Sequence, residues 1–125
     1  MIMNTKQKGD LAVAQCIAKL TSLGYEILLP IGDKKHYDLV FDDGKTLNKV
    51  QVKYAGESWK RKYVANLRIT GGNQSFNYAR KYKEDDFDYL YIYTGDNRHY
   101  LIRWSEIKTR NSLTIDDKKY KKYLI

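Results

Sequence analysis

The chain has 125 residues, which suits one compact domain over residues 1–125, and its apolar fraction of 42% excludes a disordered protein. No apolar run approaches the roughly 20 residues of a membrane helix. The first residues, MIMNTKQKGD, lack the apolar stretch of a secretory signal. The single cysteine, Cys16, excludes an internal disulfide, so a reducing cytoplasm is the expected location.

The net charge of +8 is concentrated in the middle of the chain. Residues 51–83 hold eight basic residues and one acidic residue, interleaved with aromatic and amide side chains. Because cations neutralise phosphates and amides reach base edges, this pattern predicts a nucleic-acid-binding surface. The alternative is a solvated surface that keeps a small domain soluble. The candidate DNA contacts are Lys60, Arg61, Lys62, Arg68, Asn73, Gln74, Arg80 and Lys81.

The N-terminal segment predicts a helix over residues 6–23. One apolar face at helical spacing supports it, formed by Val13, Cys16, Ile17, Leu20 and Leu23. Gly24 suits the left-handed position that ends a helix. Residues 25–29 then predict a short buried strand, which Pro30 ends.

The remaining chain reads mainly as strands. Alternating or apolar runs predict strands at 37–42, 46–54, 63–70, 87–94 and 99–104. Tight turns at Asp43-Gly44 and at residues 95–97 join two pairs of them into hairpins. The tail over 115–125 predicts a short helix or an extended packing segment. This order predicts an α/β domain of mixed α+β type with one central sheet.

Three polar side chains are expected to meet at one edge of this sheet. The Asp43-Gly44 turn lays the strand of Asp38 beside the strand of Gln51 and Lys53, which share a face.

A carboxylate, an amide and an ammonium together suit metal-dependent phosphodiester hydrolysis. Asp38, Gln51 and the Val52 carbonyl offer the hard oxygen ligands that Mg²⁺ prefers. Lys53 is placed to orient or deprotonate water, or to stabilise charge on the phosphate. The alternative is a cross-strand ion pair of Asp38 with Lys53, beside a half-exposed Gln51.

The sequence resembles the PD-(D/E)XK nuclease superfamily and, within it, the group I intron-encoded homing endonucleases of bacterial type. The matching stretches are NTKQKGDLAVAQCIAKLTSLGYEILLPIGDKKHYDLVFD, KVQVKYAG, LRITGGNQS and FDYLYIYTGDNRHYLIRW. The resemblance implies a restriction-endonuclease-like central mixed sheet flanked by helices. It also implies a site-specific, Mg²⁺-dependent DNA endonuclease with Asp38, Gln51 and Lys53 at the motif positions. Tyr37 stands where the superfamily name has proline.

One departure from the family pattern concerns the first helix. Many members carry a glutamate there that faces the site, whereas this chain has no glutamate before Glu26. Asp10 lies one helical turn before Val13 and is the candidate to reach the metal instead. Its other possible role is a favourable charge in the first turn of the helix.

Tyr89, Tyr91 and Tyr93 alternate along one predicted strand, and something must cover them. Either the C-terminal segment packs there, or this face is a subunit interface, where tyrosine is enriched. Cleavage of both DNA strands needs two active sites, so a homo-oligomer is expected. The family resemblance points to a dimer or a tetramer.

Two other functions remain open at this point. A structure-specific nuclease resembling the archaeal Holliday-junction resolvases would share the fold and the motif. A non-catalytic nucleic-acid-binding module would share the basic surface.

Overall fold

The structure, a computed structural model, describes residues 2–32, 35–69 and 80–125, with the backbone alone at Arg80. Within these ranges helix α1 spans Thr5–Ser22, and short 3₁₀ helices span Trp104–Glu106 and Lys118–Tyr123. The strands are β1 (Glu26–Leu28), β2 (Leu39–Asp42), β3 (Leu47–Glu57), β4 (Tyr63–Asn66), β5 (Arg68–Ile69), β6 (Arg80–Lys81), β7 (Tyr89–Thr94), β8 (His99–Arg103) and β9 (Ser112–Thr114).

Helix α1 has well-defined ends. Asn4 and Gln7 form a capping box, in which each side chain accepts a hydrogen bond from the other residue's N–H, at 2.8 and 2.9 Å. Gly24 follows the helix with a φ of 92°, the left-handed conformation expected from the sequence. No helix in the described ranges is long and apolar enough to cross a membrane.

Strand β3 is the centre of a mixed seven-stranded sheet. β2 pairs antiparallel with its first residues, β7 pairs parallel with residues 50–55, and β4 pairs antiparallel with Gly56 and Glu57. β1 lies beside β2, β8 beside β7 and β9 beside β4, while β5 and β6 form a separate two-stranded sheet. The predicted mixed α+β fold with a central mixed sheet is confirmed.

Two hydrophobic clusters cover the two faces of the sheet. The cluster beneath α1 includes Ala12, Cys16, Leu20, Leu39, Val50, Val52, Tyr91 and Tyr93. The cluster on the other face includes Leu90, Ile92, Tyr82, Phe87, Trp104, Ile115 and Tyr120. Within the described residues, α1 is the one α-helix, so the second face is covered by strands, loops and 3₁₀ turns rather than by the expected flanking helices.

The tyrosine stripe is covered by α1. Tyr91 and Tyr93 are buried there, Tyr89 packs beside them, and the C-terminal segment lies on the opposite face. The expectation that the C-terminal segment covers this stripe is therefore wrong, and Tyr91 and Tyr93 are buried within the chain rather than exposed for a subunit interface. The alternation with Leu90 and Ile92 is as predicted, but it does not show which face the helix covers.

Candidate active site

Asp38 lies immediately before β2 and is bound to β3 at two points. Its N–H donates to the Val50 carbonyl at 2.8 Å, and its Oδ2 accepts from the Val52 N–H at 2.7 Å. Burial raises the pKa of the Asp38 carboxyl, and the Val52 hydrogen bond and the nearby Lys53 only partly oppose this. The structure thus holds a partly desolvated carboxylate against the middle of β3.

Gln51 and Lys53 lie on the face of β3 that points away from α1, since Val50 and Val52 belong to the cluster under the helix. Gln51 Nε2 donates to the Val52 carbonyl at 3.4 Å. Burial lowers the pKa of Lys53, and Asp38 opposes that change. The structure therefore brings Asp38, Gln51, Val52 and Lys53 together, as the strand pattern predicts.

Tyr82 is a component of this site that sequence reasoning missed. The Lys53 Nζ lies 5.1 Å from the centre of the Tyr82 ring, within cation–π range. Tyr82 is only 7% exposed and meets Phe87 and Trp104 edge-on. Burial raises the pKa of its hydroxyl, so this group stays protonated. Alternation of Tyr82 with exposed lysines at 81 and 83 is the one sequence signal for its inward position.

A cleft of about 310 Å³ opens beside Lys53, and its charged lining residues are all basic. The residues around it are Thr5, Lys8, Gly9, Val52, Lys53, Tyr54, Asn66 and Arg68. The Lys8 Nζ lies 5.7 Å from the centre of the Tyr54 ring on its wall. A cleft with this charge suits a phosphate backbone.

Asp10 lies on the far side of α1 from this cleft. The buried stripe of the helix is Ala12, Cys16 and Leu20, whereas Asp10 is exposed, in line with exposed residues at 14 and 18. The structure therefore does not bring Asp10 to Asp38. Because α1 begins at Thr5, Asp10 is also outside the first turn, so its charge has neither of the roles expected from the sequence.

The oxygen donors fit a hard divalent cation. The described residues contain no group of three or more His, Cys, Asp or Glu side chains arranged to hold a metal ion. The donor set is instead one carboxylate from Asp38, immediately before β2, with one side-chain amide and one main-chain carbonyl from Gln51 and Val52 on β3. Mg²⁺ accepts such a set because it keeps several waters of its own.

The predicted DNA contacts that the structure describes are exposed. Lys60, Arg61 and Lys62 form the turn between β3 and β4, and Arg68 pairs with Lys81 in the β5–β6 ladder. Asn73, Gln74 and the side chain of Arg80 lie outside the described residues.

Comparison with known proteins agrees with this geometry. A family model described as PD-(D/E)XK endonuclease matches residues 3–123. The solved structure of a bacterial homing endonuclease, I-Ssp6803I, is similar at 30% identity with a TM-score of 0.83, over 98% of this chain and 89% of that chain. No curated protein matches. Because the family model spans nearly the whole chain, the protein belongs to the PD-(D/E)XK endonuclease family.

Proposed function

We propose that the protein is a homing endonuclease that hydrolyses phosphodiester bonds of duplex DNA at a specific site with Mg²⁺. The observation that carries the proposal is the Asp38 carboxylate, tied to Val52 beside the partly buried Lys53. Family membership supports nuclease chemistry. The similarity to a bacterial homing endonuclease supports duplex DNA as the substrate.

The divalent ion would be held by the Asp38 carboxylate, the Gln51 amide oxygen and the Val52 carbonyl. When bound, such an ion lowers the pKa of its water and offsets charge on the phosphate. The members of this family generally use divalent ions. Since burial raises the pKa of Asp38, we expect metal binding to be coupled to loss of a proton at acidic pH.

Lys53 has the chemistry of a group that handles the attacking water. Burial lowers its pKa, so a larger fraction of its amine is unprotonated and able to accept a proton than in an exposed lysine. In its protonated form it stabilises charge on the phosphate. The Tyr82 ring limits where the Nζ can move, and Lys8 and Arg68 on the cleft wall are placed to bind the DNA backbone.

Cutting both strands requires two active sites, and one chain supplies one. We therefore propose a homo-oligomer, a dimer or a tetramer, acting in a reducing cytoplasm where the buried Cys16 thiol stays free. Light scattering of the purified protein, alone and with DNA, measures the number of copies.

Digestion of a randomised duplex library with Mg²⁺, followed by sequencing of the cut ends, tests the proposed function. The wild type is expected to cut within one long sequence, and Lys53→Ala is expected to leave the library intact. Lys45→Ala, in an exposed turn, is the matched control and should cut like the wild type. If wild-type protein leaves all duplexes intact, the proposal fails.

Two results would favour the alternative functions. Cleavage of four-way junctions of any sequence in preference to linear duplex would indicate a resolvase-like nuclease. Metal-independent DNA binding without nicking of any substrate would indicate a non-catalytic binding module.

A further inference from the structure

The turn between β3 and β4 presents a large aromatic side chain to solvent. Trp59 is 87% exposed, whereas Trp104, the other tryptophan of the chain, is 1% exposed in the core. Tryptophan is highly buried on average, so an exposed indole at the tip of a hairpin indicates a surface that contacts another molecule.

The backbone of the turn fixes this position. The Ser58 N–H donates to the Lys62 carbonyl at 2.7 Å, and the Arg61 N–H donates to the Ser58 carbonyl at 2.9 Å. Arg61 has a φ of 59°, in the left-handed region that a residue with a side chain occupies only in special turns. Trp59 therefore stands on a closed turn rather than on a loose loop.

The charges around Trp59 are those of a nucleic-acid contact. Lys60, Arg61 and Lys62 follow it directly and are exposed, with Glu57 the one acidic residue between Gly56 and Lys62. The Lys60 Nζ lies 4.7 Å from the centre of the indole. An aromatic ring among cations is the combination by which proteins stack on bases while neutralising phosphates.

Strand β3 connects this turn to the candidate active site. Lys53 lies on β3, and the strand continues to Glu57, directly before the turn. At about 3.3 Å per residue, Trp59 is at most about 20 Å from Lys53 along the chain. With a spacing of about 3.4 Å per base pair, that span is at most about six base pairs of duplex.

We propose that Trp59 is a DNA-wedge residue that stacks against a base step within about six base pairs of the cut, with Lys60, Arg61 and Lys62 on the flanking phosphates. Apolar side chains inserted in this way partly unstack the duplex. Pyrimidine–purine steps unstack most easily. The wedge would therefore give a preference for such a step without any hydrogen bond to a base edge. This inference rests on the proposed function, since it requires a duplex DNA substrate.

The test compares Trp59→Ala and Trp59→Phe, both in the cleavage-deficient Lys53→Ala background, in binding to the duplex recovered from the cut library. Trp59→Ala should weaken binding roughly tenfold to a hundredfold at every salt concentration, with the slope of log affinity against log salt unchanged. Trp59→Phe should keep most of the affinity. Lys62→Ala should instead reduce the salt slope by about one.

The fluorescence of Trp59 reports stacking directly. DNA should quench the indole emission of the Lys53→Ala protein, and Trp59→Phe should abolish that quenching while it still binds. In the library assay with active protein, Trp59→Ala should lose the preference for a pyrimidine–purine step within about six base pairs of the cut. Leu47→Ala, an exposed apolar side chain at the other end of β3, is the control and should change none of these readouts.

The inference fails if the wild type cuts its duplex but Trp59→Ala binds and cuts it equally well. It also fails if Trp59→Ala changes the number of copies in solution and leaves DNA binding intact, because Trp59 would then contact another protein chain. Failure of the proposed function itself is distinct, since the wild type would then cut no duplex.

Discussion

The Asp38 carboxylate and the main-chain N–H of Val52 are 2.7 Å apart, so a side chain immediately before β2 is hydrogen-bonded to the strand that carries Gln51 and Lys53. The hydrogen bond needs only an acceptor oxygen, whereas the contribution of Asp38 to metal affinity depends on its negative charge. A substitution at Asp38 can therefore remove the negative charge while it keeps the hydrogen bond to Val52.

Asp38→Asn is expected to abolish cleavage while the fold survives. The amide oxygen of asparagine can still accept from Val52, but the charge that binds a divalent cation is gone. We expect the cleavage rate to fall by at least about a hundredfold, as for loss of a group that stabilises transition-state charge. Single-turnover cleavage measures the rate, and Glu26→Gln on the exposed edge strand β1 is the control. A variant that cuts at the wild-type rate would contradict the site.

Removing both charges of the site is expected to stabilise the protein. Burial raises the pKa of Asp38 and lowers the pKa of Lys53, so folding disfavours the charged form of each group. The double variant Asp38→Asn, Lys53→Met should therefore melt above the wild type near neutral pH. Each 1 kcal/mol of stabilisation raises the melting temperature by about 3–5 °C.

The pH dependence of that difference has a definite sign. Because the pKa of Asp38 is raised on folding, the carboxyl destabilises the wild type once it ionises, and this cost disappears as acidification protonates it. The lowered pKa of Lys53 gives a cost that disappears at alkaline pH. The advantage of the double variant should be largest between these limits. Calorimetry across pH checks this, and a double variant that melts below the wild type at neutral pH would refute it.

Tyr82→Leu is expected to change the pH profile of cleavage. The Tyr82 ring favours the protonated form of Lys53, so its replacement should lower the Lys53 pKa further. The limb of the rate profile that reports Lys53 should then move to lower pH. Tyr82→Phe keeps the ring and is the matched control. Superimposable profiles for the Leu and Phe variants would show that the ring does not act on Lys53.

Gln51→Glu is expected to tighten divalent metal binding, because it adds a second carboxylate beside Asp38. Ligand charge is a main determinant of affinity for hard cations, and we expect roughly a tenfold decrease in the metal dissociation constant. Calorimetric titration of the protein with Mg²⁺ measures this without DNA. Gln51→Ala should weaken binding. Equal Mg²⁺ affinity in the wild type and both variants would show that Gln51 is not a metal ligand.

His99 is expected to make the fold sensitive to mild acid. Its Nδ1 lies 2.5 Å from the Tyr91 hydroxyl, and burial, then Lys19, lowers its pKa. Because the pKa of His99 is lower in the folded state than its ordinary value of 6.5, the neutral imidazole stabilises the fold above pH 6.5. This stabilisation is lost as the pH falls from 6.5 towards the pKa of the folded state. His99→Gln should flatten the loss of melting temperature between about pH 7 and pH 5. An equally steep fall in melting temperature in this variant would show that groups other than His99 cause the acid sensitivity.

The sequence predicted the parts of the site that depend on strand geometry. Alternation along β3 separates Gln51 and Lys53 from Val50 and Val52, and the Asp43-Gly44 turn is short enough to place Asp38 beside them. These are local properties of two adjacent strands.

The errors concern contacts between distant parts of the chain. The position of Asp10 depends on which helix stripe faces the sheet, and a helix rotated by about half a turn exposes a different one.

β3 continues to Glu57, beyond the predicted end at residue 54, because β4 pairs with its last residues. The predicted strand at 63–70 ends as β4 at Asn66, with β5 beginning separately at Arg68, and β9 was not predicted. Tyr82 lies against Lys53 through a contact that no local pattern encodes.

The central position of β3 also governs how this enzyme can fail. A slip of one residue in its pairing would exchange the two faces of β3, so that Gln51 and Lys53 would turn towards α1 and Val50 and Val52 would take their places beside Asp38. A misfolded copy would therefore have no chemistry to perform, rather than relaxed specificity. In a member of an endonuclease family, such an error in strand pairing would remove the candidate site altogether.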